Sequence, residues 1–337
     1  MFQVNLVSII IPCFNTGKYL YKLLDSILQQ DYNYVEVFAV NDGSNDNTEE
    51  VIKSYIPKFE SRGYRLTYIY QDNSGQSAAI NNGLKLVNGE FLMWPDSDDY
   101  YIKDNAISTL VKTLSSLPQE YAAVRALPVF VSEFDGKEIS WNSISPELSE
   151  SNQFVNCLNS QNFIWPPVNY VIRMDLFDKV CPKREIYVEK NAGQNWQMLL
   201  PLLYTYKCHT INENLCHVLA RETSHSRGQY KTFEQSYARI NSYCNTIVAT
   251  LDTISSMPED EREAYKRQIR EKYKMQELYL AFKYKKSEEK KRLINELNSM
   301  GTPIPLVYIF KLWLKHTTIG KILSWMHIKL YKLSHKK

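Results

Sequence analysis

The chain has 337 residues, and its 40 Lys and Arg against 37 Asp and Glu give a formal net charge of +3. This small excess does not support a nucleic-acid partner, because nucleic-acid-binding domains carry strongly basic faces. The hydrophobic fraction of 44% and the charged fraction of 23% are ordinary for a globular protein. The length suits a core domain followed by an extension.

The cysteines and the apolar runs predict the compartment. No cysteine pair has CxxC spacing, so we expect neither a zinc cluster nor a thioredoxin-like motif, and Cys13 lies in an apolar run typical of a buried free thiol. The sequence shows no signal-peptide pattern and no run of about 18 apolar residues. These features predict a cytoplasmic protein without a membrane-spanning helix.

The first hundred residues alternate between strand and helix patterns. Residues 7–13 form a nearly continuous apolar run, typical of a strand buried on both faces, and residues 35–40, 65–70 and 90–94 are three further predicted strands. Apolar residues recur at helical spacing between these runs and again after the last one. Strands and helices in this alternation predict right-handed crossovers. The expected fold is therefore α/β, with a mostly parallel sheet flanked by helices.

A polar segment follows each predicted strand. The four segments are residues 15–18, 41–47, 72–77 and 96–99. Taken singly, each has the Asx and Gly content of an ordinary turn. Because ligands of such sheets bind outside the carboxyl ends of the strands, four polar segments at one edge favour a binding site over four unrelated turns.

The segment after the fourth strand is acidic. Asp96, Asp98 and Asp99 repel one another unless a cation or hydrogen bonds compensate, and oxygen ligands suit Mg²⁺ or Mn²⁺. The alternative is a solvated acidic turn that caps the next helix. The chain lacks GxGxxG and GxxxxGK[ST], which argues against a dinucleotide fold and a P-loop enzyme. A diphosphate neutralised by a metal ion instead fits nucleotide-sugar chemistry.

Four segments carry a family resemblance, in this order: VSIIIPCFNTGKYL (7–20), SILQQDYNYVEVFAVNDGSNDNT (26–48), NSGQSAAINNGL (73–84) and GEFLMWPDSDD (89–99). Together they resemble the inverting glycosyltransferases of family 2, which have the GT-A fold, a Rossmann-like nucleotide-diphospho-sugar transferase fold. The resemblance weakens after about residue 175. It implies a transferase that uses a nucleotide sugar and a divalent metal.

The resemblance also implies roles for individual residues. It assigns the nucleotide-sugar site to Pro12, Asn15, Asp42, Asn73, Gly75, Gln76, Asp96 and Arg221. Asp42 would bond the nucleobase, commonly uracil, and Arg221 a phosphate. Asp96 and Asp98 would form the DxD element, with Asp98 at the catalytic centre. Asp98, Asp99 and His225 would hold Mn²⁺ or Mg²⁺, although an exposed loop histidine is the alternative for His225. Where the family often reads ARN, this chain has residues 79–81 as AIN, so a cation near the donor is missing.

An inverting transfer needs a general base, and the resemblance places it in an acidic pair before an amphipathic helix. Residues 191–203 (NAGQNWQMLLPLL) instead carry Gln194 and Asn195, which cannot act as bases. The base is then Glu189, which we favour, or another carboxylate, or the chain is a non-catalytic relative. Two tryptophans either pack under the acceptor sugar or belong to the core. The predicted acceptor side comprises Trp165, Gln194, Asn195 and Trp196.

The predicted domains are a catalytic domain at 1–230 (donor half 1–100, acceptor half 101–230), a helical extension at 231–300 and a tail at 301–337. From residue 302 onward the tail has seven Lys and no Asp or Glu, interleaved with apolar and aromatic residues. Such a stretch favours contact with an anionic membrane surface, which would place the protein peripherally on the inner face of the membrane. The alternative is a helix that packs on the catalytic domain or on a dimer partner.

The sequence thus predicts a metal-dependent inverting glycosyltransferase. Its donor would be a nucleotide sugar, most simply a UDP-sugar, and its acceptor a saccharide, free or lipid-linked, in bacterial-type surface polysaccharide synthesis. A non-catalytic protein that retains the nucleotide-sugar pocket is the main alternative. A nucleotidyltransferase is third, because its glycine-rich N-terminal loop with Arg and Lys is absent. A homo-oligomer stays open.

Overall fold

The fold is described from a computed structural model. It describes residues 2–140, 153–190, 193–221, 230–302, 304, 309, 310, 312 and 314. The predicted metal ligand His225 and most of the predicted tail at 301–337 lie outside the described residues. Each of the six cysteines is a free thiol, and Cys13 is buried as predicted.

The first hundred residues form the predicted alternation of strands and helices. The elements are β1 (Gln3–Cys13), α1 (Gly17–Leu28), β2 (Val35–Asp42), α2 (Thr48–Ser61), β3 (Arg65–Gln71), α3 (Gln76–Leu84) and β4 (Gly89–Met93). The four strands are parallel in the order β3-β2-β1-β4. Every residue of β2 is buried, because helices cover both faces of the sheet; this explains its apolar run.

The sheet continues beyond β4 with strands of both directions. The elements are β5 (Tyr100–Tyr101), α4 (Ala106–Ser116), β6 (Tyr121–Ser132), β7 (Glu138–Ser140), α5 (Gln153–Asn159), β8 (Tyr170–Arg173), α6 (Met174–Val180), α7 (Asn195–Thr205) and β9 (Lys207–Ala220). The order is β4-β8-β6-β9-β5, with β7 beside β6. β8 runs antiparallel to β4 and β6, whereas β6 and β9 are parallel. The sheet is therefore parallel in its first half and mixed in its second.

The two faces of β1 meet different helices. Val7, Ile9 and Ile11 pack in a core cluster with the apolar faces of α1, α2 and α4. Ile10 points to the other face, against α3, where Gly83 approaches so closely that a Cβ there would lie 2.5 Å from the Ile10 side chain. This layering exposes the carboxyl edge of the sheet between the helices, which is where the four predicted polar segments begin.

The C-terminal region is helical, as predicted: α8 (Phe233–Asp252), α9 (Glu259–Lys283) and α10 (Ser287–Ser299). The chain divides into two compact units, one of residues 1–228 and 245–262 and one of residues 229–244 and 263–337. The second unit has its own apolar cluster, which includes Phe233, Leu278, Phe282, Leu293 and Leu297. Over the part of the chain that is described, no helix is both long and apolar enough to cross a bilayer.

Candidate functional site

The acidic loop after β4 receives two side-chain amides. Gln76, at the start of α3, donates through Nε2 to Asp96 Oδ1 at 2.6 Å, and Gln194, just before α7, donates to the same oxygen at 3.3 Å. Burial, and then the charge of Asp98, raise the pKa of Asp96 to about 6. Asp96 thereby connects the start of α3, the acidic loop and the start of α7.

Asp98 forms an ion pair with the arginine that follows β9. Arg221 Nη2 lies 2.7 Å from Asp98 Oδ2, and the guanidinium stacks on the ring of Tyr19 at 4.8 Å from its centroid. The Tyr19 hydroxyl donates to Glu133 Oε1 at 2.6 Å. Burial raises the pKa of Asp98, and the positive charge of Arg221 opposes this rise. Two of the predicted site residues, distant in sequence, are thus brought into contact.

Asp99 is tied to the backbone of β9. Its side chain is 3% exposed, and the Leu219 amide donates to Oδ1 at 3.0 Å. Burial, and then the charges of Asp98 and Asp96, raise its pKa well above the usual range. Asp99 therefore anchors the acidic loop to the sheet, and its carboxyl faces β9.

The carboxyl chemistry of the loop fits a hard divalent cation. Within the described ranges, no group of three or more His, Cys, Asp or Glu converges to hold a metal ion, and His225 lies outside those ranges. However, Mg²⁺ typically takes only one or two carboxylates and completes its shell with phosphate oxygens and water. Burial raises the pKa values of Asp96, Asp98 and Asp99, and the positive charge of Arg221 opposes the rise. Asp98, with its partly exposed carboxylate, would be the ligand.

Asp42, at the end of β2, organises the loop before α3. Its Oδ1 accepts hydrogen bonds from Gln71 Nε2 at 2.7 Å and from the Ser74 amide at 2.8 Å, and its Oδ2 accepts one from the Gly75 amide at 2.9 Å. Asn73 Nδ2 donates to the Asp42 carbonyl at 3.1 Å. A carboxylate offers about four acceptor positions, so these three hydrogen bonds leave one position of Asp42 unused.

Asn15 connects the loops after β1 and β2. It has a left-handed backbone, φ 48°, which Asn tolerates better than most residues. Its amide donates to Ser44 Oγ at 3.0 Å, and its Oδ1 accepts from the Asn45 amide at 2.8 Å. Pro12 is buried within β1, in register with Val40 of β2. The two predicted residues thus lie on neighbouring parts of the same sheet edge.

The segment that carries Glu189 lies against α3. Asn81 Nδ2 donates to the Ile186 carbonyl at 2.9 Å, and the Ile186 amide donates to Asn81 Oδ1 at 2.8 Å. Gly75, with φ 95°, approaches so closely that a Cβ there would lie 3.0 Å from Lys190 Cα. Glu189 lies between these two contacts, half-buried, and its carboxylate has no hydrogen-bond or ion-pair partner among the residues that can be described.

The predicted acceptor side forms one aromatic and amide cluster. Asn195 Nδ2 donates to the Trp165 carbonyl at 3.1 Å, and the rings of Trp165 and Trp196 meet edge to face with centroids 5.1 Å apart. Trp196 is buried and donates to the Cys157 carbonyl, so it belongs to the core, whereas Trp165 is half-buried. Gln194 Oε1 and Asn195 Oδ1 are buried, and neither accepts a hydrogen bond from a described residue.

The sequence alone did not identify Tyr19 and Glu133 as site residues. Tyr19 falls in the first family-like segment, but its position in an amphipathic helix predicts only a packing role. Glu133 follows β6, and no local pattern marks it, because its contact with Tyr19 depends on the end of β6 lying beside α1. Both residues can therefore be identified only from the tertiary structure.

The family model of Glycosyl transferase family 2 matches residues 8–180, about half of the chain. The chain belongs to this family. Glycosyltransferase GlyA of Streptococcus pneumoniae is 40% identical over 108 residues, 32% of this chain and 15% of that protein. The uncharacterized glycosyltransferase EpsJ of Bacillus subtilis is 28% identical over 186 residues, 52% of this chain and 50% of that protein. The chain thus matches less than two thirds of the length of these relatives.

Solved structures confirm the predicted GT-A type of α/β fold. TarS 1-349 of S. aureus, in complex with UDP-GlcNAc, has a TM-score of 0.62 at 15% identity, over 88% of this chain and 81% of that one. The mannosyltransferase PcManGT of Pyrobaculum calidifontis, in complex with GDP-Man and Mn²⁺, has a TM-score of 0.54 at 14% identity, over 96% and 84% of the two chains. At these identities the likeness extends to the fold alone.

Proposed function

We propose that this chain is a metal-dependent inverting glycosyltransferase that moves a sugar from a nucleotide sugar, a UDP-sugar, to a saccharide acceptor. The observation that carries the proposal is the meeting of Asp42, Asp96, Asp98 and Arg221 at the carboxyl edge of the sheet in a chain of this family. The UDP-GlcNAc and the GDP-Man with Mn²⁺ named for the structural neighbours support a nucleotide-sugar donor.

In this proposal the chain's own residues bind and orient the donor. The spare acceptor position of Asp42 takes a nucleobase N–H, and the loop that Asp42 holds, with Asn73 and Gly75, encloses the nucleoside. Arg221 places its positive charge beside the diphosphate. A divalent cation at Asp98 would neutralise the charge that develops on the nucleoside diphosphate as it leaves.

Glu189 is the proposed general base. It would take the proton of the acceptor hydroxyl while that oxygen attacks the anomeric carbon and the bond from this carbon to the diphosphate breaks. The contacts of Ile186 with Asn81 and of Lys190 with Gly75 support this role, because they hold both ends of its segment beside the donor-side helix α3. Trp165 would pack against the acceptor sugar.

Nucleotide binding is the first test. Calorimetry with UDP, GDP and dTDP, each with and without Mn²⁺, should show metal-dependent binding of one nucleotide to the wild type and its loss in Asp98→Ala. If no nucleotide binds under either condition, the transferase proposal fails. Ser97→Ala, which changes the neighbouring residue and retains all the carboxylates, is the matched control.

A catalytic test separates the transferase from a non-catalytic nucleotide-sugar-binding relative, which the amides at Gln194 and Asn195 favour. With the donor identified by binding, Glu189→Gln should lower the transfer rate by at least about a hundredfold at unchanged donor affinity. Glu185→Gln, on the same segment and exposed, is the control. Transfer that survives in Glu189→Gln would place the base elsewhere, and no transfer by the wild type would favour the binding protein.

We propose a lipid-linked acceptor and a peripheral membrane position from the sequence of the tail at 301–337, with the catalytic domain at 1–230 and the helical extension at 231–300. Seven Lys without Asp or Glu from residue 302 onward support attraction to anionic lipid. Truncation after Met300 should release the protein from anionic liposomes in a sedimentation assay, with neutral phosphatidylcholine liposomes as the control. Equal sedimentation of both proteins would contradict the membrane role.

A further inference from the structure

Asp98, which would hold the cation of the proposed donor complex, forms an ion pair with Arg221 in this structure. Arg221 Nη2 lies 2.7 Å from Asp98 Oδ2, and the two side chains are only 23% and 14% exposed. At this depth the pair is not an ordinary surface contact, because an unpaired carboxylate would stay poorly solvated. A guanidinium and a divalent cation compete for the Asp98 carboxylate, because two positive groups beside one carboxylate repel each other.

Arg221 is held from its other side by an aromatic ring. The guanidinium lies 4.8 Å from the centroid of the Tyr19 ring, and the Tyr19 hydroxyl donates to Glu133 Oε1 at 2.6 Å. Lys18 Nζ donates to the same Glu133 oxygen at 2.9 Å. The Tyr19 ring is therefore fixed at its hydroxyl end. Its face contacts the guanidinium, and this contact uses none of the N–H donors of Arg221.

One donor of the guanidinium has no acceptor. Arg221 Nε is buried, and no hydrogen-bond partner for it exists in the part of the chain that the structure describes. A buried N–H without an acceptor costs free energy, so a state that supplies an acceptor for Arg221 Nε is favoured over this one by that amount. A phosphate group offers several acceptor oxygens and binds the planar fork of an arginine well.

We propose that Arg221 is an exchangeable counter-cation: it pairs with Asp98 in the empty site and transfers to the diphosphate when the donor and its cation bind, with Tyr19 as the positioning residue beneath it. The inference rests on the proposed function and assigns a role to Tyr19, which acts only through Arg221. A cation that arrives alone competes with Arg221 for the charge of Asp98 and offers Arg221 no new partner. A cation that arrives with a diphosphate supplies that partner, so the two bind cooperatively.

Three titrations of the full chain test the exchange: Mn²⁺ alone and UDP in the presence of Mn²⁺ by calorimetry, and uridine by saturation-transfer NMR. In Arg221→Gln we expect Mn²⁺ alone to bind about fivefold more tightly, because its competitor is gone. We expect UDP with Mn²⁺ to bind at least about tenfold more weakly, and uridine to bind as in the wild type. Two changes of opposite sign are the signature of the exchange.

Tyr19 is tested by a conservative and a disruptive variant. Tyr19→Phe keeps the ring and should retain UDP affinity within about twofold, whereas Tyr19→Leu should lose about three- to fivefold with uridine affinity unchanged. Tyr21→Leu, an exposed tyrosine on the same helix, is the matched control and should match the wild type. A merely structural role of Tyr19 would weaken uridine and UDP binding together.

The outcomes distinguish this inference from the proposed function. Mn²⁺ affinity that is unchanged or weaker in Arg221→Gln, or absent from both proteins, would overturn the exchange. If Arg221→Gln does not fold, Arg221→Lys replaces it: with its charge kept and its fork lost, it should bind Mn²⁺ as the wild type does and UDP several-fold more weakly. A wild type that binds no nucleoside diphosphate would instead refute the transferase proposal.

Discussion

Replacement of Asp96 by Asn should make the protein more stable at neutral pH. Asparagine has nearly the same shape, and its Oδ1 can still accept the hydrogen bonds that Gln76 and Gln194 donate to Asp96. The substitution removes only the negative charge. Because burial and the neighbouring Asp98 disfavour that charge in the folded protein, its removal should stabilise the fold although it damages the proposed donor site.

The expected size follows from the pKa of Asp96. The pKa rises from 3.8 to about 6 on folding, so between these pH values the folded chain retains a proton that the unfolded chain has lost. The free energy of unfolding of the wild type therefore decreases as pH rises through this window. The decrease is at most about 3 kcal/mol, and about 1–3 kcal/mol once solvent screening of the half-buried side chain is included.

Urea unfolding of the wild type and Asp96→Asn, from pH about 4 to pH about 8 without divalent cations, measures the effect. The difference in the free energy of unfolding should be small near pH 4 and should reach its full value above pH 6. Asp135→Asn is the control of opposite sign. Hydrogen bonds from Ser132 and the Lys137 amide lower the pKa of the exposed Asp135, so its contribution is stabilising above the unfolded pKa and is lost as pH falls.

An Asp96→Asn protein that is no more stable than the wild type at pH 8 would refute this reasoning. So would a gain of the same size at every pH, because a pH-independent gain would come from packing rather than from the charge. A gain that Asp135→Asn reproduces would also refute it, because the burial and the repulsion at Asp96 have no counterpart at Asp135.

Two further predictions concern the surroundings of Asp96. Gly75→Ala should lower the free energy of unfolding by about 2–4 kcal/mol, because φ 95° and ψ 162° lie in a region nearly restricted to glycine and the new Cβ meets the Lys190 backbone. The control is Gly63→Ala, with φ 81° and open space, which should cost only about 1 kcal/mol. Equal losses in urea unfolding of the two variants would contradict the contact with Lys190. Gln194→Glu should lower the free energy of unfolding by about 1–3 kcal/mol at pH 8 and by less near pH 5, because it replaces an N–H donor to Asp96 by a second carboxylate. A loss that does not change with pH would show that repulsion between the carboxylates plays no part.

The sequence predicted the parallel half of the sheet because its signals are local. β1, β2 and β4 are apolar runs, and β3 (RLTYIYQ) has the aromatic and β-branched residues of a strand. Each helix between them has an apolar stripe, so the period and the chain order specify four parallel strands. The mixed half was not predicted in the same detail. β8 has only four residues, and it enters the sheet between β4 and β6 through pairings that no local pattern encodes.

The candidate site was predicted unevenly for the same reason. The family-like segments marked Asp42 and Asp96. The spacing of residues does not reveal, however, that Asp42 accepts hydrogen bonds from the end of β3 and from the loop before α3. The partner of Asp98 lies at the far end of β9, and the ring beneath that partner lies on α1. Such contacts depend on how the elements pack, so the sequence could suggest the participants but not their pairing.

The amide at position 194 has a consequence for where the base lies. Gln194 Nε2 approaches Asp96 Oδ1 to 3.3 Å, so an acid at this position would place two carboxyl groups side by side at a buried edge. Such a pair shares a proton or needs a cation, and the amide removes that requirement by donating a hydrogen bond. The hydrogen bond from Gln194 therefore favours the ionised form of Asp96. In the proposed function, deprotonation of the acceptor then falls to another carboxylate. Glu189, held beside α3 by its flanking contacts and without a described partner, is the carboxylate that we propose for this role.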